Sequence, residues 1–524
     1  MLVFILIVTC VLYLWRDLSW AQLQPVFMLY IVHFIGHRHF SHGIHQYPGP
    51  FVASITNIWR VAHVYLHGNE RPTYLELHRR YGRIVRVGPN ALSFSSPSAI
   101  EDIYGPKNNM AKSNWYIAFE AHGKGPKKEN IFSTRDNHWH ARYRELVEPG
   151  FRMEQLLRRE EEVDSLLLDL LANLDASCAD NASSTSPSPS VVDQLHYFVF
   201  DAGGIFAFSQ PYGFLKTKSD LEGIMQTSRV LATHLMRLSQ TPVWQFLLDK
   251  NPLVLFLGFV PPPMAFAQRY LPLDRIRRQV EQHRDKDKRN NEDVLDTWIE
   301  AHTKHPDVVT RNDIIDLGLM LISPTPDAVR TTLVVVIYHV LKSNAIFIKL
   351  RSELDENLSD NKTTIPPWSF LSNLTRFPYL SACIKEALRI HPPPGFMMER
   401  VVPPTGSVVD GHYIPSGTLV SCSPWVIHHD QGVFGDDTEV FRPERWLEGP
   451  PEQMQKMESL LCPFGFRSRV CLGMDMALLE IHKVAAVLFR HYEMSLPKPE
   501  KDLSVIWGNM VCVDTEVRLK RRQR

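Results

Sequence analysis

The sequence has no CxxC pair. Its seven cysteines (Cys10, Cys178, Cys383, Cys422, Cys462, Cys471 and Cys512) are scattered through 524 residues. That spacing argues against zinc ribbons and redox dithiols, and the odd count of free thiols suits a reducing compartment. Net charge is lacking too. Lys plus Arg and Asp plus Glu each total 57, so no global field exists to grip nucleic acid, and none is expected as a partner. No internal repeat is visible. With 44% hydrophobic and 22% charged residues, the chain is neither disordered nor collagenous, and it is long enough to bury a large core. Low complexity is confined to residues 178–190 (CADNASSTSPSPS), expected to be a solvated, mobile loop. The 37 prolines cluster in loops, and Pro261-Pro262-Pro263 is a punctuation point.

Long hydrophobic runs are concentrated at the amino terminus. Residues 2–15 (LVFILIVTCVLYLW) carry no charge. As a helix they span roughly 21 Å, short of the ~30 Å hydrocarbon core of a bilayer. A second apolar run, Val26 to Ile35, follows Arg16, Asp17 and a polar break at Gln22 and Gln24. The pair reads as a membrane anchor with an interfacial segment over residues 1–36, or as a shallow hairpin. No small-x-small cleavage site follows the first run, which argues against a signal peptide. Arg38 and the histidines from His33 to His45 place the main body on the cytoplasmic side. Pro48-Gly49-Pro50 then stops any helix. Residues 37–50 are expected to form a stiff hinge, and residues 51–524 the globular domain.

The middle of the chain reads as helix. From Tyr379 to Ile390, apolar residues at Leu380, Cys383, Ile384, Ala387 and Leu388 form one stripe at helical spacing. Another helix starts at Thr310, where Asp313 completes a capping box. It continues through Leu317, Leu321, Val334 and Ile337, apolar on nearly every face, so it should cross the core. Residues 401–422 alternate short extended runs with turns and read as a small antiparallel sheet. The fold class is mainly α with a small β region.

Three local patterns carry chemistry. Cys471 ends the segment Pro463-Phe464-Gly465-Phe466-Arg467-Ser468-Arg469-Val470 and precedes a helix whose apolar positions include Leu478, Ile481, Ala485 and Leu488. The unpaired N–H groups of a helix start, with Arg469 nearby, favour a thiolate that serves as nucleophile or metal ligand. Glu386 and Arg389, three apart and off the apolar stripe, pair on one helix face. Phe441-Arg442-Pro443-Glu444-Arg445-Trp446 is a proline-stiffened turn.

Taken in order, these pieces resemble the cytochrome P450 family of haem-thiolate monooxygenases, over essentially the whole chain. The shared order is a long central helix, Glu-x-x-Arg, the Pro-Glu-Arg-aromatic turn and Phe-x-x-x-x-Arg-x-Cys-x-Gly. The style is that of a fungal microsomal member. The resemblance implies a P450 fold with an N-terminal anchor in the endoplasmic reticulum membrane and iron protoporphyrin IX as cofactor. Cys471 would be its axial ligand, pushing electron density toward the iron, and Phe464 would lie in the cofactor-binding loop. Glu386, Arg389 and Arg445 would be the structural triad beneath that loop, and His140, Arg144, Arg400 and Arg469 the propionate ligands. The partners implied are O2, an NADPH-dependent reductase, membrane lipid and an apolar small molecule. The lining implied is Trp115 to Phe119, Leu321, Phe396-Met397-Met398 and Ile506-Trp507.

Two departures stand out. The central helix should carry Ala/Gly-Gly-x-Asp/Glu-Thr-Thr, but this chain reads Pro324-Thr325-Pro326-Asp327-Ala328-Val329. The acid is present as Asp327, while Ala328 replaces the hydroxyl residue after it. Thr325, one turn upstream, is the candidate substitute in proton delivery. The departure raises the alternative of ring expansion, dehydration, desaturation or epoxidation in place of simple hydroxylation. Secondly, Arg467 stands where the family has glycine, which implies a slightly different loop.

Overall fold

The computed structural model describes residues 20–67, 71–108, 110–120, 129–180, 190–240, 273–284, 293–322, 325–358, 364–506 and 512–523. The apolar run at 2–15, most of the low-complexity segment, the triple proline, Pro324 and Trp507 lie outside them.

The helices that build the site are α1 (Trp20–Phe40), α2 (Pro97–Tyr104), α3 (Asn137–Val147), α4 (Val191–Phe208), α5 (Ile224–Ser239), α6 (Arg311–Ile322), α7 (Thr325–Lys342), α8 (Pro378–Ile390) and α9 (Met474–His491). Their starts follow local chemistry. Asp136 caps α3 by accepting from the amides of His138 and Trp139 at 2.8 and 3.0 Å. Ser190 and Asp193 form a reciprocal capping box on α4. The box expected at Thr310 is present, with the Thr310 amide donating to Asp313 at 2.7 Å and the Asp313 amide to the Thr310 hydroxyl at 3.4 Å.

The central helix expected from Thr310 onward is described as α6 and α7, and residues 323–324 between them lie outside the described residues. Among the described residues, only the stretch 311–342 is long and apolar enough to cross a membrane, and 86% of its most apolar window is buried. It is the core helix: Leu333, Val334, Val335 and Val336 are fully enclosed, and α7 packs against α4, α8 and α9.

The β region holds a five-stranded sheet in the order β1-β2-β7-β4-β3, where β1 is Ile84–Gly88, β2 Ala91–Phe94, β3 Ala111–Lys112, β4 Arg400–Val401 and β7 Leu419–Cys422. Strands β5 (Ser407–Val409) and β6 (His412–Ile414) form a separate hairpin. The sheet is mixed, since β2 runs parallel to β7 while the other pairs are antiparallel. The stretch 401–422 therefore docks on a hairpin from residues 84–94.

That hairpin also holds the amino-terminal helix. Arg86, 1% exposed, donates to the carbonyls of Arg38, His39, Ser54, Gly88 and Pro89. Its amide donates to the Pro48 carbonyl at 2.7 Å. Gly49 is confined here, because a Cβ would lie 2.2 Å from the Arg86 carbonyl oxygen.

Candidate active site

The site centres on the loop before α9. The Cys471 amide donates to the Phe464 carbonyl at 2.8 Å, closing the loop on itself. Gly465 sits at φ 90° and Arg467 at φ 49°. Arg467 thus takes a positive φ. It adopts the left-handed backbone that glycine adopts freely, at a strain cost of about 1 kcal/mol. Its side chain reaches Glu101 on α2 at 2.7 Å, an exposed pair of small energetic value.

Cys471 is the exposed cysteine among the described residues; the others are buried or half-buried. It is nonetheless set in a dense protein shell that pushes its thiol pKa up, opposed by the Gly473 amide and the Arg144 charge. The residue is thus exposed while its thiol is desolvated by the protein around it. Among the described residues, no group of three or more His, Cys, Asp or Glu could hold a metal. A metal bound by Cys471 must bring further donors of its own.

Around that loop lies a cluster of cations. Arg469 donates to the Asn137 side chain at 2.6 Å, while its Nη1 is buried without a partner. Arg400 is 4% exposed and donates to the carbonyls of Glu399 and Met398 and to the Tyr116 hydroxyl, at 2.9, 3.3 and 3.4 Å. His140 is buried, and burial together with Arg469, Lys112, Arg144 and Arg400 lowers its pKa to about 3. Burial, Arg400 and Arg144 bring Arg469 down to about 10. Arg144 is partly committed elsewhere, donating to the Val470 carbonyl and pairing with Glu148 at 3.0 Å.

Lys112 was not found from the sequence. The β3–β4 register sets it directly opposite Arg400, and it lies 4.3 Å from the Tyr116 ring centroid and 4.7 Å from that of Phe132. Like charges facing each other across a strand pair are destabilising. Burial, Arg400 and Arg469 accordingly hold the Lys112 ammonium well below its usual pKa. The nearby acids do not offset this excess. Glu399 is engaged by Arg60 and Ser113, each at 2.6 Å, and Asp136 by the cap of α3. Cationic side chains in excess, one with a buried orphan donor, beside an exposed cysteine make a receptor for an anionic metal complex. The residues therefore fit a haem with its two carboxylates.

The charged triad is buried rather than solvated, the outcome that Glu386 and Arg389 alone do not foretell. The Glu386 carboxylate accepts from Arg389 Nε and Nη2 and from Arg445 Nε, each at 2.9 Å. It also accepts from Trp446 Nε1 at 2.9 Å and the Arg442 amide at 3.0 Å. Burial alone would raise its pKa, but Arg389 and Arg445 outweigh burial and hold it below the ordinary range. His428 ties this triad to the loop. It bonds the Arg389 carbonyl through Nδ1 at 3.0 Å and accepts the Cys462 amide at Nε2, also at 3.0 Å. These partners fix one neutral tautomer, and burial lowers its pKa to about 3.

Asp327 is buried at the start of α7. Its carboxylate lies 3.2 Å from His196 Nε2 on α4 and 3.9 Å from Arg229 Nε on α5. Burial raises its pKa, but His196, Arg330 and Arg229 together bring it below the usual value. The Thr332 hydroxyl turns back to the Ala328 carbonyl at 3.1 Å. Thr325 begins α7; its side chain lies outside the description. Of the expected lining, Trp115 stacks on Phe396 at 4.7 Å and on Phe119 at 5.0 Å, with Phe132 closing the group. Leu321 belongs to a different core cluster, and Met397 and Met398 are buried.

Comparison with known proteins agrees with this geometry. The cytochrome P450 family model matches residues 48–520. The chain is 33% identical over 462 residues to the cytochrome P450 monooxygenase cicH of Emericella nidulans, covering 87% of this chain and 89% of that one. It is 30% identical over 475 residues to the cytochrome P450 monooxygenase mfmA of Annulohypoxylon moriforme, covering 87% and 88%. Against the cytochrome P450 monooxygenase mpaDE of Penicillium brevicompactum it is 31% identical over 458 residues, 86% of this chain but 52% of that one. The chain belongs to the cytochrome P450 family. It is an oxidoreductase that incorporates molecular oxygen, and its cofactor is haem iron.

Proposed function

We propose that this chain is a membrane-anchored monooxygenase of fungal secondary metabolism, facing the cytosol from the endoplasmic reticulum. It oxidises an apolar small molecule with electrons from an NADPH-dependent reductase. The observation that carries the reading is the exposed Cys471 beside Arg400 and Arg469, two cations that the nearby acids do not offset, with Arg469 Nη1 buried and unpartnered. Cys471 holds the iron; His140, Arg400, Arg469 and Lys112 hold the propionates, and Arg144 steadies the loop through the Val470 carbonyl. Phe464 closes the loop by accepting the Cys471 amide. The haem, when bound, supplies oxygen activation. Asp327, held by His196 and Arg229, would relay protons into the haem site, with Thr325 supplying a hydroxyl one turn upstream. Trp115, Phe119, Phe132 and Phe396 exclude water and favour an apolar guest. The exposed Phe27, Met28, Leu29, Tyr30, Val32 and Phe34 of α1 support burial of that helix in lipid.

Cys471→Ala is expected to abolish the thiolate-type carbon monoxide spectrum of the reduced protein. Retention of that spectrum would overturn the ligand assignment. Ala328 favours a second reading, in which net chemistry is ring expansion, dehydration or desaturation. Product mass separates the two, since a gain of one oxygen supports hydroxylation or epoxidation.

A further inference from the structure

We propose that Tyr104 is a positioning residue that sets the spacing between the loop carrying Cys471 and the cation clamp. The proposal rests on the reading of Cys471 as the iron ligand. Tyr104 is the last residue of α2, and 6% of its surface is exposed. Its ring stacks on Phe466 of the Cys471 loop, with centroids 4.3 Å apart and planes 9° from parallel. The Arg400 guanidinium lies over the same ring at 5.0 Å. A ring face accommodates one such group, so the tyrosine sits between the sulfur's loop and the clamp's central arginine. Each contact has energetic weight, since aromatic pairs add about 0.5–1.5 kcal/mol beyond burial and a desolvated cation over a ring about 2 kcal/mol.

The hydroxyl fastens the ring in place. It donates to the Met398 carbonyl and accepts from the Cys422 amide, both at 2.8 Å. It therefore bridges the residues just before β4, the strand that carries Arg400, and the end of β7, the strand paired with it. Burial pushes the phenol pKa well above its usual value, so the donor stays protonated. Through Glu101, α2 also reaches Arg467, the residue following Phe466. One short helix thus grips two successive residues of the loop. A haem is held at two places, iron to sulfur and carboxylates to cations, so the distance between those places decides whether both bonds form without strain.

The test uses the full-length holoprotein with Tyr104→Leu, Tyr104→Phe and Glu101→Gln. Two quantities are read: the fraction of the reduced carbon monoxide complex with the thiolate-type spectrum, and the rate of haem transfer to excess apomyoglobin. Tyr104→Leu is expected to convert a substantial fraction to the form with displaced or protonated sulfur and to speed haem loss at least about tenfold. Tyr104→Phe keeps the ring and should stay within about twofold of the parent on both readouts, as should Glu101→Gln. Tyr104→Leu with the parent spectrum and transfer rate would sink the proposal. So would Tyr104→Phe matching Tyr104→Leu, which would assign the effect to strand fastening. If Tyr104→Leu fails to accumulate, Phe466→Leu removes the same stack from the other side and must give the same shift. A parent protein without the thiolate-type spectrum overturns the Cys471 reading itself.

Discussion

Glu386→Gln is expected to cost about 3–5 kcal/mol, the loss typical when one member of a buried ion cluster is removed. The substitution keeps the shape but leaves Arg389 and Arg445 as buried cations, 0% and 2% exposed. Arg445 keeps the Asp437 carboxylate at 2.9 Å, but Arg389 is left with backbone carbonyls alone, which accept hydrogen bonds and do not neutralise charge. The urea midpoint of the holoprotein measures the cost, and the yield of haem-loaded protein measures its consequence for the loop. A loss below about 1 kcal/mol would show that the cluster is not the anchor described here. The same carboxylate has a pH signature. Its folded pKa lies below the unfolded value, so its stabilisation is fully present above the unfolded carboxylate range. That stabilisation is lost as pH falls through the folded value. The parent should therefore lose stability on acidification more steeply than Glu386→Gln, with the two curves converging at low pH.

A second large effect is expected from esterifying the cofactor. Iron protoporphyrin IX dimethyl ester keeps the iron and the ring but removes both negative charges. Lys112, Arg400 and Arg469 would then face neutral groups, with Arg469 Nη1 still unpartnered. A hydrogen-bonded buried charge pair that loses one member costs about 2–5 kcal/mol, so the ester should bind roughly 30- to 4000-fold more weakly than the diacid. Competitive loading of the apoprotein with the two porphyrins measures the ratio. Equal affinities would remove the cation cluster from the cofactor site. Arg400→Leu should narrow the ratio, because part of the discrimination resides in that guanidinium.

The legible parts of this site are those written in short spacings. Cys471 and its loop, Glu386 with Arg389, and Arg445 in its turn each occupy a few consecutive residues, so their types and intervals carry the signal. Lys112 gave none, because its place depends on β3 pairing with β4 across most of the chain. His428 and Tyr104 were hidden for the same reason: each acts on residues far away in the chain, His428 on backbone groups and Tyr104 on Phe466 and Arg400. The mixed sheet was missed because a parallel β2–β7 pair joins segments separated by a long crossover. Arg467 shows a different limit. Glycine is preferred at positive φ, but the surrounding loop imposes that geometry on the arginine.

The grip of Arg86 on α1 bears on how the globule stands against whatever surface that helix enters. Carbonyls of the last residues of α1, of Ser54 and of the turn after β1 converge on one enclosed guanidinium. A joint of this kind resists rotation about the connecting chain, so helix and sheet tumble as one body. The sheet that carries Arg400 then keeps a constant bearing relative to the axis of that helix.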